Sequence, residues 1–263
     1  MSNKKIQELL KLFTELGYVP VVAAEIEFYL HGNNGDDLDE QSVCAIISDI
    51  QNAIKKANID LIEIEKERGK GQYEIKLDCS FYVSKFAEDL QRASEIAIET
   101  AKKHNAIAIF EAKPFPEKPA SGMHIHIHLE DSNGKNLFYR EGENYSDIML
   151  YSIGGMLATM KEKLGSFLPT PDSYARILHA GKETPSTISW GNNNRTTAIR
   201  IPQNKGIERR IEHRVAGADA NPESVITAIL EGVYFGISNK IKPTIPQTFG
   251  DAYLDIYGLE KLV

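Results

Sequence analysis

Apolar residues recur at two periods along this 263-residue chain, and each change of period marks a new element. Ile6, Leu9, Leu10 and Phe13 share one helical face over 4–16, and Gly17 ends that helix. An apolar strand follows over 19–30, carrying Glu25 and Glu27 at its centre, before the polar loop 31–39. Val43, Ile46, Ile47, Ile50 and Ile54 return to helical spacing, which predicts an amphipathic helix over 40–57. Strands are expected over 60–66 and 72–78, joined by the turn Gly69-Lys70-Gly71. Phe86, Leu90, Ala93, Ala97 and Ala101 mark a long helix over 83–104, and an apolar strand follows over 106–112. A hairpin is predicted next, with strand 121–130, the turn Asn133-Gly134 and a return through Leu137 and Phe138. Beyond it come a helix over 146–164, an irregular stretch opening at 169–171, strands over 187–191, 196–201 and 208–214, and a helix over 222–240. The tail after Pro243 reads as extended over the surface. Strands mixed with long helices and hairpins predict one α+β domain over 1–263, a mostly antiparallel sheet flanked by helices.

Composition narrows the partners. The net charge of −7 argues against nucleic acid, so an anionic ligand would have to be held by local arginines and metal. Cys44 and Cys79 are too few for a disulfide scaffold and fit no clustered zinc spacing, which points to a reduced, cytoplasmic setting. The N-terminal stretch lacks the compact apolar run of a signal peptide, and no apolar run approaches membrane-spanning length, so no membrane partner is expected.

Three stretches carry the chemistry. In Glu25-Ile26-Glu27, Gly122-Met123-His124-Ile125-His126-Ile127-His128 and Arg210-Ile211-Glu212-His213-Arg214, polar groups stand two residues apart and so share one face of a strand. Glu25 and Glu27 read either as a solvated face or as ligands to two cations, and the apolar flanks Val21, Val22, Phe28 and Leu30 favour the second. Glu67 and Glu74 bracket a glycine turn that can bring both carboxylates to one place, although a plain charged hairpin reads equally well. His124, His126 and His128 spread too far along a strand to bind one metal, so one or two of them are ligands at most. Arg195, Arg200, Arg210 and Arg214 lie within twenty residues of an acidic chain, and their planar guanidinium groups suit phosphate or carboxylate, with strand-face ion pairs as the plain alternative. The combination suggests metal-dependent phosphoryl chemistry.

These motifs, in this order, resemble the catalytic domain of glutamine synthetases and related ligases that join glutamate to amines. The likeness rests on Glu25-Ile26-Glu27-Phe28, Gly71-Gln72-Tyr73-Glu74-Ile75, Ser121-Gly122-Met123-His124-Ile125-His126, Asn194-Arg195 with Ile199-Arg200-Ile201-Pro202, and Arg210-Ile211-Glu212-His213-Arg214 followed by Ala218-Asp219-Ala220-Asn221-Pro222. It implies Glu27, Glu67 and Glu74 as ligands of one Mg²⁺ or Mn²⁺ ion, Glu25, His124 and Glu212 as ligands of another, and two or three ions in all. It implies His126 and Arg210 on the nucleotide side, Arg195 and Arg200 on the transferring phosphoryl group, and Arg176 and Arg214 on the substrate carboxylates. Glu183, in Gly181-Lys182-Glu183-Thr184-Pro185, resembles the flap glutamate that takes a proton from the amine. The implied activity is an ATP-dependent carboxylate–amine ligase working through an acyl phosphate, with glutamate and an amine as substrates. A non-catalytic nucleotide-binding or regulatory subunit partnering a full-length relative is the alternative.

Departures from the family pattern bear on the substrates. The family's N-terminal domain is unmatched and is expected to be absent, which leaves open a homo-oligomer or a partner chain. Pro119-Ala120 stands where glutamine synthetases have Asn-Gly, His128 replaces a small polar residue, and the spacing from Arg176 to Glu183 is one residue longer than usual. Which amine the chain takes is left open by its residues.

Overall fold

A computed structural model describes residues 3–179, 181, 183–203 and 206–263; Lys182 of the expected flap lies outside them. In chain order the elements are α1 (Asn3–Glu15), β1 (Val19–Gly32), α2 (Glu40–Lys56), β2 (Leu61–Lys66), β3 (Gln72–Ser80), α3 (Val83–Lys103), β4 (Ala106–Ile109) and β5 (Met123–Glu130). They continue with α4 (Asp147–Thr159), α5 (Leu164–Phe167), α6 (Pro171–Leu178), β6 (Trp190–Asn192), β7 (Ile199–Ile201), β8 (Ile211–His213) and α7 (Pro222–Ser238). The strands form one sheet in the order β2-β3-β1-β5-β8-β7-β6, with β4 pairing the far end of β1. Every pairing is antiparallel except β6 with β7, so the α+β expectation holds.

Alternation along the strands separates the two faces of the sheet. Val22, Ala24, Ile26 and Phe28 of β1, Ile125 and Ile127 of β5, and Ile75 and Leu77 of β3 are buried in a core closed by the helices. Glu25 and Glu27, His124 and His126, and Glu74 occupy the alternate positions. Helices α1, α2 and α3 lie against the strands, and α7 packs on α1, α3 and α4. The α4–α7 contact is close because glycines meet there: a methyl on Gly155 would collide with the Gly232 carbonyl and the Gly236 backbone. Among the described residues no helix is long and apolar enough to cross a membrane.

Three expectations are corrected. The predicted helix over 146–164 breaks after Thr159, and α5 resumes at Leu164. The stretch from 169 is not irregular: Thr170 caps a helix whose first residue is Pro171, with reciprocal bonds between Thr170 and Ser173. The hairpin return after Gly134 is a single bridge between Glu130 and Asn136, because the Asn136 side chain turns to the Arg209 carbonyl and the Phe138 amide. The tail does run over the surface, as expected, with Phe249 and Ile256 exposed, and it is pinned at a few points. Leu262 is fully buried, the Ile188 amide donates to Glu260, and the Trp190 indole donates to the Ile245 carbonyl at 3.1 Å.

The glycine contact yields a stability prediction. Gly155→Val should destabilise the fold by roughly 1–3 kcal/mol through overpacking, read as a lower urea midpoint with an unchanged denaturant slope. A midpoint equal to that of the parent chain would show that α4 and α7 are not in close contact.

Candidate active site

Cross-strand register assembles the polar face into rows. Glu27 stands opposite Glu74, Glu25 opposite His124, and Glu212 opposite both His126 and Arg200. Glu67 joins from the turn after β2, Arg176 from α6, and Glu183 from the segment after it. Among the described residues three groups offer ligand atoms within 4.8 Å of one another: Glu27, Glu67 and Glu74; Glu25, Glu74 and His124; and Glu25, His126 and Glu212; the expected trio Glu25, His124 and Glu212 is not one of them. His128 is not among them, since its Nε2 lies 3.0 Å from Glu130.

Charge is distributed unevenly over these acids. Burial would raise the Glu212 carboxyl, yet Arg214, His126, His124 and Arg200 together hold it down to about 2. Arg214 bonds one of its oxygens, and Arg200 Nη1 donates to the other at 2.6 Å. Glu25 also lies well below the usual carboxylate range, because the imidazoles of His124 and His126 outweigh its burial. By contrast, Glu27 is pushed up to about 7 by burial despite the Gly122 amide at 2.8 Å, and Glu74 rises to about 9 through burial and repulsion from Glu25, Glu27 and Glu67. The structure thus holds two carboxylates short of positive charge next to two that are well supplied.

That shortage fits divalent cations. Burial and Arg214 depress His124 to about 4, leaving a neutral imidazole whose buried Nδ1 has no hydrogen-bond partner among the described residues and lies 3.7 Å from both Glu25 and Glu212. Carboxylates with one neutral imidazole suit Mg²⁺ or Mn²⁺ better than a thiolate-seeking metal. Gly122 permits the close packing: a Cβ there would sit 2.6 Å from Arg176 Nη2 and 2.8 Å from His124 Nε2.

Two cavities meet at this cluster. One, of about 370 Å³, is lined by Glu27, Lys113, Glu117, Lys118, Arg176 and Arg214. The other, of about 460 Å³, is lined by Glu25, Glu65, Glu74, Lys76 and Arg200. Glu67, Arg68, Glu183 and Arg195 border both. Arg176 is 2% exposed and donates to the carbonyls of Val215 and Arg214, while its Nε, like that of Arg214, has no partner among the described residues. Arg214 also donates to the Glu183 carbonyl at 3.0 Å, and Arg210 Nε donates to His126 Nδ1 at 3.0 Å.

Several neighbours of the site escape the sequence reading. Gln72 and Lys76 share the parity of Glu74 on β3, a signal that was available: Gln72 donates to the Ala120 carbonyl at 3.0 Å, and Lys76 lies 3.8 Å from Glu74. Arg68 pairs with the Glu183 carboxylate at 3.0 Å, and the Tyr253 hydroxyl sits 2.5 Å from the carbonyls of Gly181 and Thr184. No local spacing announces these contacts, nor those of Lys113 and Lys118.

Residues 4–254 match the family described as glutamine synthetase, catalytic domain. The chain is similar to the gamma-glutamylputrescine synthetase PuuA of Escherichia coli (strain K12), at 34% identity over 261 residues, covering 90% of this chain and 55% of that protein. It is similar to a glutamate–isopropylamine ligase of Pseudomonas sp, at 33% over 263 residues, covering 91% and 56%. Similarity to a glutamine synthetase of Pyrococcus woesei is 35% over 240 residues, covering 86% and 54%. The chain therefore spans about half the length of these curated relatives. Among solved structures, "GmaS/ADP complex-Conformation 1" shares the fold with a TM-score of 0.85 at 23% identity, covering 100% of this chain and 65% of that one.

The uneven charge predicts a pH signature. Glu27 and Glu74 have folded values above the ordinary 4.5, so the stability they contribute is complete below pH 4.5 and is lost as pH rises through about 7 and about 9. Metal-free protein should therefore melt at lower temperature at pH 9 than at pH 7, losing at most about 1.4 kcal/mol per pH unit for each retained proton. Excess Mn²⁺ displaces those protons, so it should raise the melting temperature more at pH 8.5 than at pH 6, and Glu74→Ala should remove most of that gain. A melting temperature that ignores Mn²⁺ at both pH values would count against a cation site.

Proposed function

The chain belongs to the glutamine synthetase family, and on that premise we propose that it is an ATP-dependent ligase joining the side-chain carboxylate of glutamate to an amine through an acyl phosphate. The observation that carries this reading is the meeting of an arginine-lined cavity and a carboxylate-rich cavity at one cluster of acids short of positive charge. These relatives are all named as ligases or synthetases, so the alternative of a non-catalytic nucleotide-binding subunit is not favoured.

In this reading Glu27, Glu67 and Glu74 would hold one divalent ion, and Glu25 and Glu212, each 3.7 Å from His124 Nδ1, would hold a second together with that imidazole. Ions there would polarise phosphoryl oxygens and offset the repulsion among the acids. The unpartnered Nε–H groups of Arg176 and Arg214 suit the carboxylates of the acid substrate. Its side-chain carboxylate oxygen attacks the γ-phosphorus of ATP as the bond to ADP breaks, and the guanidinium groups of Arg195 and Arg200 take up charge on the moving phosphoryl group. His126 and Arg210 lie on the same side of the cluster as Arg200 and would meet the nucleotide's phosphates. The amine nitrogen then bonds to the acyl carbon, the bond to phosphate breaks with its electron pair, and the surplus proton passes to Glu183. Substitution of Asn-Gly by Pro119-Ala120 removes a side-chain amide from the wall of the acid's cavity. Gamma-glutamylputrescine synthetase and glutamate–isopropylamine ligase rank beside glutamine synthetases among the relatives, which supports testing organic amines together with ammonium.

The decisive assay is phosphate release with Mg²⁺ or Mn²⁺, ATP and glutamate, against ammonium and a panel of organic amines. Release that requires both glutamate and an amine is expected; none with any amine sinks the reading. Within that assay, Arg195→Ala should reduce turnover by about 10³-fold or more while nucleotide affinity falls much less. Arg195→Lys should recover it only in part, because a point charge does not reproduce the guanidinium fork. Equal losses of binding and turnover would assign Arg195 to ground-state binding instead.

A further inference from the structure

The segment carrying Glu183 is held from three parts of the chain, and the three contacts act on different atoms. Arg214, just past β8, donates to the Glu183 carbonyl at 3.0 Å, and the Tyr253 hydroxyl reaches the flanking carbonyls of Gly181 and Thr184 from the tail. Both grip backbone. The carboxylate is left to Arg68, whose Nη2 lies 3.0 Å from Glu183 Oε1, the one ion pair this carboxylate makes among the described residues.

Charge explains why that contact matters. Glu183 borders both cavities together with Glu67, and the acids Glu27, Glu25, Glu65 and Glu74 line one or the other. A further carboxylate is repelled from such a cluster unless a cation stands beside it. Arg68 is that cation. It follows Glu67 on the turn between β2 and β3, where its amide donates to the Glu67 carboxylate at 3.2 Å, and its side chain reaches from there to Glu183. Arg195 borders the same two cavities, yet the ion pair belongs to Arg68. With the two side chains 64% and 31% exposed, the pair adds little to folding stability, so removing it frees the carboxylate without loosening the domain.

We propose that Arg68 is a positioning residue that holds the Glu183 carboxylate at the junction of the two cavities, where the amine needs a proton acceptor. That the pairing serves proton transfer rests on the proposed function; the pairing itself does not. Amines should differ in how far they depend on it. One that arrives as an ammonium cation must shed a proton before its nitrogen has a lone pair to attack with, and a second after attack. Hydroxylamine, largely uncharged at neutral pH, sheds only the second. Misplacing Glu183 therefore costs the cationic amine more.

The test is a double-mutant cycle in the full chain, with phosphate release read for a cationic amine and for hydroxylamine. Arg68→Ala should lower kcat with the cationic amine by at least about tenfold, the cost of a misplaced catalytic group, and leave the KM values for ATP and glutamate within about twofold. With hydroxylamine the loss should be much smaller. Arg68→Lys should recover part of the turnover, since a single N–O contact calls for a charge more than for a fork. In a Glu183→Gln background, Arg68→Ala should cost nothing further. Losses that multiply, equal losses with both amines, or a loss confined to KM would overturn the proposal. The pairing has a readout free of turnover. In arginine-labelled, ligand-free protein, NMR should show slower rotation of the Arg68 guanidinium about Cζ–Nε in the parent chain than in Glu183→Ala, with the signal assigned by its loss in Arg68→Lys. Equal rotation in the two chains would also overturn the proposal. Slowed rotation in a chain with no ligase turnover would instead overturn the proposed function, and the proton-transfer role with it, and leave the pairing standing.

Discussion

The two-residue period of the strands is the constraint on which the site depends. β3, β1, β5, β8 and β7 are neighbours, and in each the odd and even positions separate helix-facing apolar residues from cleft-facing polar ones. A slip of one residue in β1 would turn Glu25 and Glu27 toward the helices and push Ile26 and Phe28 into the cleft. Two carboxylates buried without partners would cost several kcal/mol, so the packing that hides Ile26 and Phe28 also fixes the acids. Core and site are two consequences of one register.

Within the polar face, the arginines are not spread evenly. Glu212, fully buried, is flanked by Arg200 and Arg214, which makes it a fixed negative charge. Glu27 and Glu74 have no such support: Lys76, 3.8 Å from Glu74, is itself engaged by Glu63 and Glu65. One side of the cleft is thus electrostatically complete, and the other is completed only by something that binds. The helix α6 contributes to the complete side, since its capped start at Thr170 positions Arg176 under the Arg214 and Val215 carbonyls.

How much of this could be read from the chain follows the range of each interaction. Period-two spacing made the faces legible at Glu25 and Glu27, at His124 and His126, and at Arg210, Glu212 and Arg214, because a strand converts spacing directly into direction. The same rule applied to Gln72, Glu74 and Lys76 would have found two more cleft residues. A helix start at Thr170-Pro171 is also legible, since threonine caps and proline suits the first helical position. Contacts fixed only by tertiary structure left no trace. Arg68 reaches Glu183, Arg210 reaches His126 across 84 positions, and Tyr253 returns from the tail to Gly181. The burial of Leu262 belongs to the same class, since nothing beside it in the chain announces the groove it fills.

Arginine burial grades from the mouth of the cleft to its floor. The Arg68 side chain is 64% exposed and Arg195 is exposed, whereas Arg176 and Arg214 are each 2% exposed. A dicarbonyl reagent that modifies guanidinium groups therefore meets a natural ladder of reactivity, fast at the rim and slow at the floor. Any ligand that fills the cleft shields Arg68 and Arg195 first, because they border both cavities. The chain thus carries its own footprinting probes for occupancy, readable by mass spectrometry without a label or a coupled assay.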